Sequence, residues 1–146
     1  MLIRSCAGGV VFKDGEAFIL RNEKGEWVLP KGKIIGDELA TETALRRVEY
    51  EGGVLADIVS VAGDTAYEFF SISREKPVCN KITWFIMEAK DKDYRINKEE
   101  GFTDGGFYPI DKAIEKITYS QDKSLLTLSS KKYEKLKLLE REELTV

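Results

Sequence analysis

The chain of 146 residues contains no histidine. That excludes Ser-His-Asp and Cys-His catalysis, and zinc sites built on imidazole. It has only two cysteines, Cys6 and Cys79. Two thiols make no disulfide framework, and these fit buried, reduced side chains of a cytoplasmic protein. No apolar run approaches the roughly 20 residues needed to span a membrane, so no membrane partner is expected. The opening segment MLIRSCAGGVVF lacks the long apolar core of a signal peptide and reads as a strand. Positive charge is not in excess either. A net charge of −3 argues against a broad nucleic-acid footprint. The chemistry left to such a chain runs on carboxylates, lysine, tyrosine, backbone amides and a metal.

What is present is an ordinary globular balance, 42% hydrophobic and 34% charged. No internal repeat or linker divides the chain, so residues 1–146 read as a single domain. Ile3 to Lys13 and Glu16 to Arg21 read as strands around an Asp14-Gly15 turn, a hairpin signal. Trp27-Val28-Leu29 is short and apolar, and Pro30-Lys31-Gly32 interrupts it. A helix is predicted from Asp37, or the residue before it, to about Glu51, with Gly52-Gly53 as its stop. Val54 to Ala62, Tyr67 to Ser73 and Lys81 to Ala89 read as strands. Residues 90–106 are polar and irregular. Phe107 to Ile110 reads as a last strand, and a short helix follows near Asp111 to Ile117. A longer helix is predicted from Ser120 to about Glu143, with Leu125, Leu128, Tyr133, Leu136 and Leu139 as its buried side.

The most informative segment runs from Gly32 to Val54, GKIIGDELATETALRRVEYEGGV. Gly32, Glu38, Arg46, Val48, Glu51, Gly53 and Val54 stand at the spacing of the Nudix box. Arg47 and Tyr50 stand where that box has glutamates. The chain resembles a Nudix hydrolase, a family that cleaves nucleoside diphosphates linked to another moiety. The likeness extends beyond the box. Ser5 to Val11 resembles the family's first core strand. Trp27 to Gly32 resembles the approach loop of dinucleoside polyphosphate and diphosphoinositol polyphosphate hydrolases. Lys81 to Phe85 and Phe107 to Asp111 are similar to later parts of those enzymes. The resemblance implies an α/β/α sandwich with a mixed β-sheet, in the α/β (α+β) class. It also implies a loop–helix–loop that holds Mg2+ or Mn2+ and a diphosphate.

Residues 47, 50 and 51 are spaced i, i+3, i+4 and share one helix face. Three carboxylates there would make an oxygen site for a hard cation. Here that face carries Arg47, Tyr50 and Glu51, while Glu38, Glu42 and Glu49 lie on roughly the opposite side. A guanidinium repels a divalent ion. Arg47 is also four residues before Glu51, so a pair between them would fill the space of a metal. Such a pair is read either as an ordinary surface contact or as a fixed cation for phosphate.

Carried over from the resemblance, the candidate catalytic residues are Glu51, Arg46 and Glu38. The metal candidates are Glu51 and Asp104, with Asp104 best placed among Glu99, Glu100 and Asp104 to supply a further acid. Lys31, Gly32, Lys33, Arg47 and Lys81 are the candidate ligand-binding residues. The glycine loop lets backbone approach phosphate at a helix N-terminus. Gly25 to Lys33 ends in Gly-Lys, but its spacing and Ile34 rule out a P-loop. Trp27 and Tyr67 can stack on a base, although their first assignment is to the core. Three functions compete: a slow, divalent-metal-dependent hydrolase, named first; a module that binds a small nucleotide or other diphosphate without cleaving it; and a scaffold with no small ligand.

Overall fold

A computed structural model describes residues 1–145. The chain runs β1 (Leu2–Lys13), β2 (Glu16–Arg21), β3 (Trp27–Val28), β4 (Lys31–Lys33), α1 (Ala40–Gly52) and β5 (Ala56–Ser71). It continues through β6 (Lys76–Ala89), β7 (Asp104–Pro109), α2 (Ile110–Lys116) and α3 (Ser120–Thr145). The strands form one mixed sheet with the order β3-β2-β1-β6-β5, while β4 pairs with β1 and β7 with β2. The spine is β1. It runs parallel to β6 from Leu2↔Val78 to Phe12↔Glu88. Its other edge pairs antiparallel with β4 at Cys6–Gly8 and with β2 at Phe12 and Lys13.

Helices cover both faces of the sheet, and each face has its own core. Val10, Phe12, Trp84 and Ile86 pack with Ile117, Leu126 and Tyr133 on the side of α2 and α3. Ala7, Val11, Phe85 and Met87 pack with Ala44 and Val48 of α1 on the other. The run Cys6–Phe12 is therefore buried without alternation. Fully burying a side chain such as Phe12 or Met87 contributes about 1.5–3 kcal/mol. Burial of this size, more than helix propensity, holds α1 and α3 against the sheet. The architecture is the expected α/β/α sandwich with a mixed sheet.

Several local expectations are corrected. The helix α1 starts at Ala40, not Asp37. Gly36 has φ 58° and turns the chain first. Leu39 then donates its N–H to Glu42 Oε1 at 2.8 Å, which satisfies an otherwise orphan first-turn donor. The far end is as expected: Gly53 takes φ 65° and donates to Glu49 O at 2.7 Å. The two strands read at 54–62 and 67–73 are one strand, β5. Register shifts between Ile58 and Ser60 and between Val61 and Gly63 break its two-residue period. In α3, Leu128 and Leu139 are exposed at 66% and 47%, and Leu126 is buried instead. The buried side runs Leu125, Leu126, Ser129, Ser130 and Tyr133, one position off the leucine stripe. No helix among the described residues is long and apolar enough to cross a membrane.

Candidate diphosphate site

The site begins where the 30–33 loop is pressed onto β1. Gly9 donates its N–H to Pro30 O at 3.1 Å. A Cβ on Gly8 would stand 2.5 Å from that same oxygen, so only glycine permits the approach. This closeness brings Lys31 and Gly32 over the C-terminal half of α1. Lys31 donates its N–H to Glu51 Oε1 at 3.1 Å. Its carbonyl accepts from Arg47 Nε at 3.3 Å. The Arg47 chain lies across Gly32, where an added Cβ would stand 2.3 Å from Nε.

Arg47 and Glu51 form a direct pair, Nη2 to Oε2, at 2.5 Å. The same Nη2 reaches Glu100 Oε1 at 3.4 Å. Tyr50 donates its hydroxyl to Glu100 Oε2 at 3.1 Å, and its ring lies 4.9 Å under the guanidinium carbon. One guanidinium nitrogen thus stands between two carboxylates, in the place a cation would take. Both residues that depart from the box pattern, Arg47 and Tyr50, contribute to this arrangement. The pair is not the surface contact first considered: the Arg47 and Glu51 side chains are only 16% and 6% exposed. Burial pushes the Glu51 carboxyl above its ordinary pKa, and Arg47 pulls it back toward the ionised form.

Glu100 comes from the loop after β6, whose position is set by the end of α1. Arg95 donates its N–H to Gly52 O at 2.7 Å and Asn97 donates its N–H to Glu51 O at 3.0 Å. Asn97 Nδ2 donates to Tyr50 O at 3.0 Å, and its Oδ1 accepts from Glu100 N at 3.1 Å. These bonds satisfy helix carbonyls that would otherwise lack partners. Asp104, chosen from the sequence over Glu100, lies exposed on β7 opposite Arg21, with Oδ1 accepting its neighbour Gly105 N–H at 2.7 Å. A signal for Glu100 existed in the sequence. Arg47 and Tyr50 are both donors on one face, and such a face requires an acceptor beyond Glu51.

The remaining candidates separate. Glu38 and Arg46 form a bidentate pair, at 2.9 and 3.0 Å, that clamps the 34–39 turn onto α1. Thr43 Oγ1 also donates to Glu38, at 2.5 Å. Those donors, Arg46 first, hold the Glu38 carboxyl at about 2. Among the described residues neither Glu38 nor Arg46 hydrogen-bonds to Glu51 or Arg47. Lys33 is exposed on β4, and Lys81 is exposed on β6 between Ser5 and Ala66. The family generally uses a divalent metal, but among the described residues no three Asp, Glu, Cys or His side chains converge to hold one. A guanidinium between the available carboxylates fits a metal poorly as well.

Lys31 also lines a cavity of about 670 Å³ on the other side of the loop, with Val28, Tyr67, Ile82, Tyr119 and Asp122. This volume suits a nucleoside-sized ligand. Tyr67 is 42% exposed and accepts from Asn80 Nδ2 at 2.7 Å, so it belongs to the cavity wall and not to the core. Trp27 packs edge-to-face with Tyr108, at 5.6 Å, has Lys116 Nζ over its ring at 4.8 Å, and is not among the residues that line the cavity.

The sandwich, with its glycine loop set against the C-terminal half of α1, defines the α/β fold class. The family model described as the NUDIX domain matches residues 2–128, and the chain belongs to that family. It is 27% identical over 100 residues to the asymmetrical bis(5'-nucleosyl)-tetraphosphatase of Rattus norvegicus, covering 68% of this chain and 67% of that protein. It is 26% identical over 113 residues to the putative mutator protein MutT4 of Mycobacterium tuberculosis (strain CDC 1551 / Oshkosh), covering 75% of this chain and 43% of that longer protein. The fold is similar to that of a C. elegans Ap4A hydrolase binary complex, with TM-score 0.65, 20% identity, and coverage of 87% of this chain and 95% of that one. It is also similar to the MutT protein of Methanosarcina mazei Go1, with TM-score 0.68, 18% identity, and coverage of 90% and 96%.

Proposed function

We propose that this chain binds the diphosphate of a small nucleotide-type ligand with a cation of its own, Arg47, in place of a metal, and that it hydrolyses that ligand slowly or not at all. The observation that carries the reading is the Arg47 Nη2 held between Glu51 and Glu100. A guanidinium is permanently charged and presents a fork that matches phosphate oxygens. Lys31 adds a second cation beside it, and Gly32 allows close approach. Hydrolysis is the second reading. It is favoured by the pairing of Glu51 with Glu100 around one point, which leaves two carboxylates facing each other whenever Arg47 withdraws. Both readings set aside the scaffold, for which Arg47 need not be buried.

Isothermal titration of the full chain with inorganic pyrophosphate and with ADP, in EDTA and in magnesium, separates them. The expected affinity changes by less than about twofold with magnesium and falls at least about tenfold, 1.4 kcal/mol, in Arg47→Gln. Binding that appears only with magnesium, or that is indifferent to Arg47→Gln, would overturn the proposal.

A further inference from the structure

The sheet extends past the helix that covers one of its faces. A Cβ on Gly9 would stand 2.8 Å from Val48, and one on Gly52 would stand 2.3 Å from Phe18. Ala17, next to Phe18, pairs with Phe12. So α1 runs antiparallel to β1, and its start at Leu39 and Ala40 lies toward the Leu2 end of that strand. Beyond this point β1, β6 and β5 continue as a three-stranded projection, which ends in the turn between Ser71 and Lys76. Ala7 and Phe85 face α1. By strand alternation Ile3 and Cys79 share that face, and pairing adds Pro77 and Phe70. The turn that leads into α1 is tied beside them, with Ile34 donating its N–H to Ser5 O at 2.9 Å. Ile3 and Phe70 are exposed, as are Ile35 and Leu39 on this turn and Ile72 at the tip of the projection, by 56% at Ile3 and up to 87% at Ile72. Among the described residues no helix covers this patch.

Charge is segregated along the patch. Asp37, Glu38 and Glu42 line an open hollow with Ile35 and Arg46 at the α1 end. Arg46 is committed to Glu38. The tip at the other end carries Arg74 and Lys76 against one acid, Glu75. Glu68 and Lys81 stand at the margins, on the edge strand and level with Ser5. We propose that a second copy of this chain covers the patch, across a twofold axis that reverses the direction of the two projections. The reversal lays the tip of each copy against the hollow of the other. Arg74 and Lys76 then meet Asp37 and Glu42, Ile72 meets Ile35 and Leu39, and Ile3 and Phe70 close the centre. A twofold interface must be self-complementary, and a face that is acidic at one end, basic at the other and apolar between meets that condition. The five apolar side chains expose about 500 Å² per copy, so joining two copies removes about 1,000 Å², the threshold of a specific interface before its polar rim is counted. An exposed apolar patch of that extent marks an interaction surface more often than chance scatter. This inference stands apart from the diphosphate reading.

Sedimentation velocity of the full chain over a concentration series tests this. The wild type is expected to be a dimer at about 100 μM and to dissociate on dilution. Ile3→Ser with Phe70→Ser should raise the dissociation constant at least about tenfold, and the fold should hold because both side chains are exposed. Two charge variants test the orientation without touching the apolar centre. Arg74→Glu and Asp37→Lys should each weaken self-association at least about tenfold, since like charges then face each other. An equimolar mixture of those two variants should recover the dimer, because each tip again meets a hollow of opposite sign. A wild type that stays monomeric at that concentration, a dimer indifferent to Ile3→Ser with Phe70→Ser, or a mixture that does not recover association each overturns the proposal. So does a monomeric wild type that sediments with vesicles of phosphatidylserine and phosphatidylcholine, which would assign the patch to a lipid surface.

Discussion

At the residue scale the decisive group is Arg47. Its pairing with Glu51 is readable from the i, i+4 spacing, but its burial is not. Depth depends on Gly32 lying over the arginine chain and on Glu100, which is 53 residues from Arg47 in sequence. Removing one member of a buried pair leaves the other charge unpaired, so Arg47→Ala should destabilise the chain by about 3 kcal/mol at pH 8. The cost should depend on pH in a definite direction. Glu51 already has a folded-state pKa above its ordinary value because of burial. Without Arg47 it rises further. A carboxyl raised on folding binds protons more tightly in the native state, so its contribution is fully present below the unfolded pKa and is lost as pH climbs through the folded value. The mutant's deficit should therefore shrink as pH drops from 8 toward 4.5. Denaturant titrations across that range would show it. A deficit that stays constant or grows toward acid pH would mean that Glu51 is not the group left exposed to the loss.

At the element scale the sequence is most legible where a signal is local. The Gly52-Gly53 stop of α1 is such a signal, and so is the Asp14-Gly15 turn, where both residues take positive φ. It is least legible where periodicity is broken or borrowed. The strand β5 hides behind its bulges, and the buried side of α3 is shifted by a position because serines at 129 and 130 occupy part of it. The loop carrying Glu100 has no periodicity at all, and its position comes from the carbonyls it caps at the end of α1. Gly53 joins the two elements. A Cβ there would require a left-handed alanine and would stand 2.8 Å from Arg95 N. Gly53→Ala should cost at least about 1–2 kcal/mol from the backbone alone. It should also loosen residues 95–100, so amide exchange in that loop should accelerate more than in β1. A uniform loss of protection would place the damage in the core instead.

At the scale of the whole molecule, sandwich and site are separable. One of the two cores holds α1 through Ala44 and Val48, while Arg47, Tyr50 and Glu51 face the loops. The site face can therefore be rewritten without touching the core. This explains why the fold could be read although Arg47 and Tyr50 stand where the box has glutamates: the apolar spacing and glycines specify the architecture, and those two positions lie off the core. Arg47→Glu with Tyr50→Glu would return both acids of the box. It would also strip Glu100 of the two donors that now hold it, leaving the two introduced carboxylates to repel Glu51, Glu100 and each other. The double variant should melt below the wild type in EDTA. Magnesium should then raise its melting temperature, since an ion that binds only the folded state adds about 2.7 kcal/mol at 100 times its dissociation constant. The wild type, with a guanidinium in that place, should show no such shift. A thermal scan of both proteins over a magnesium series decides the matter. Equal shifts in the two would mean that the wild type binds the ion with Arg47 in place, and the idea that this arginine stands in for the metal would fall.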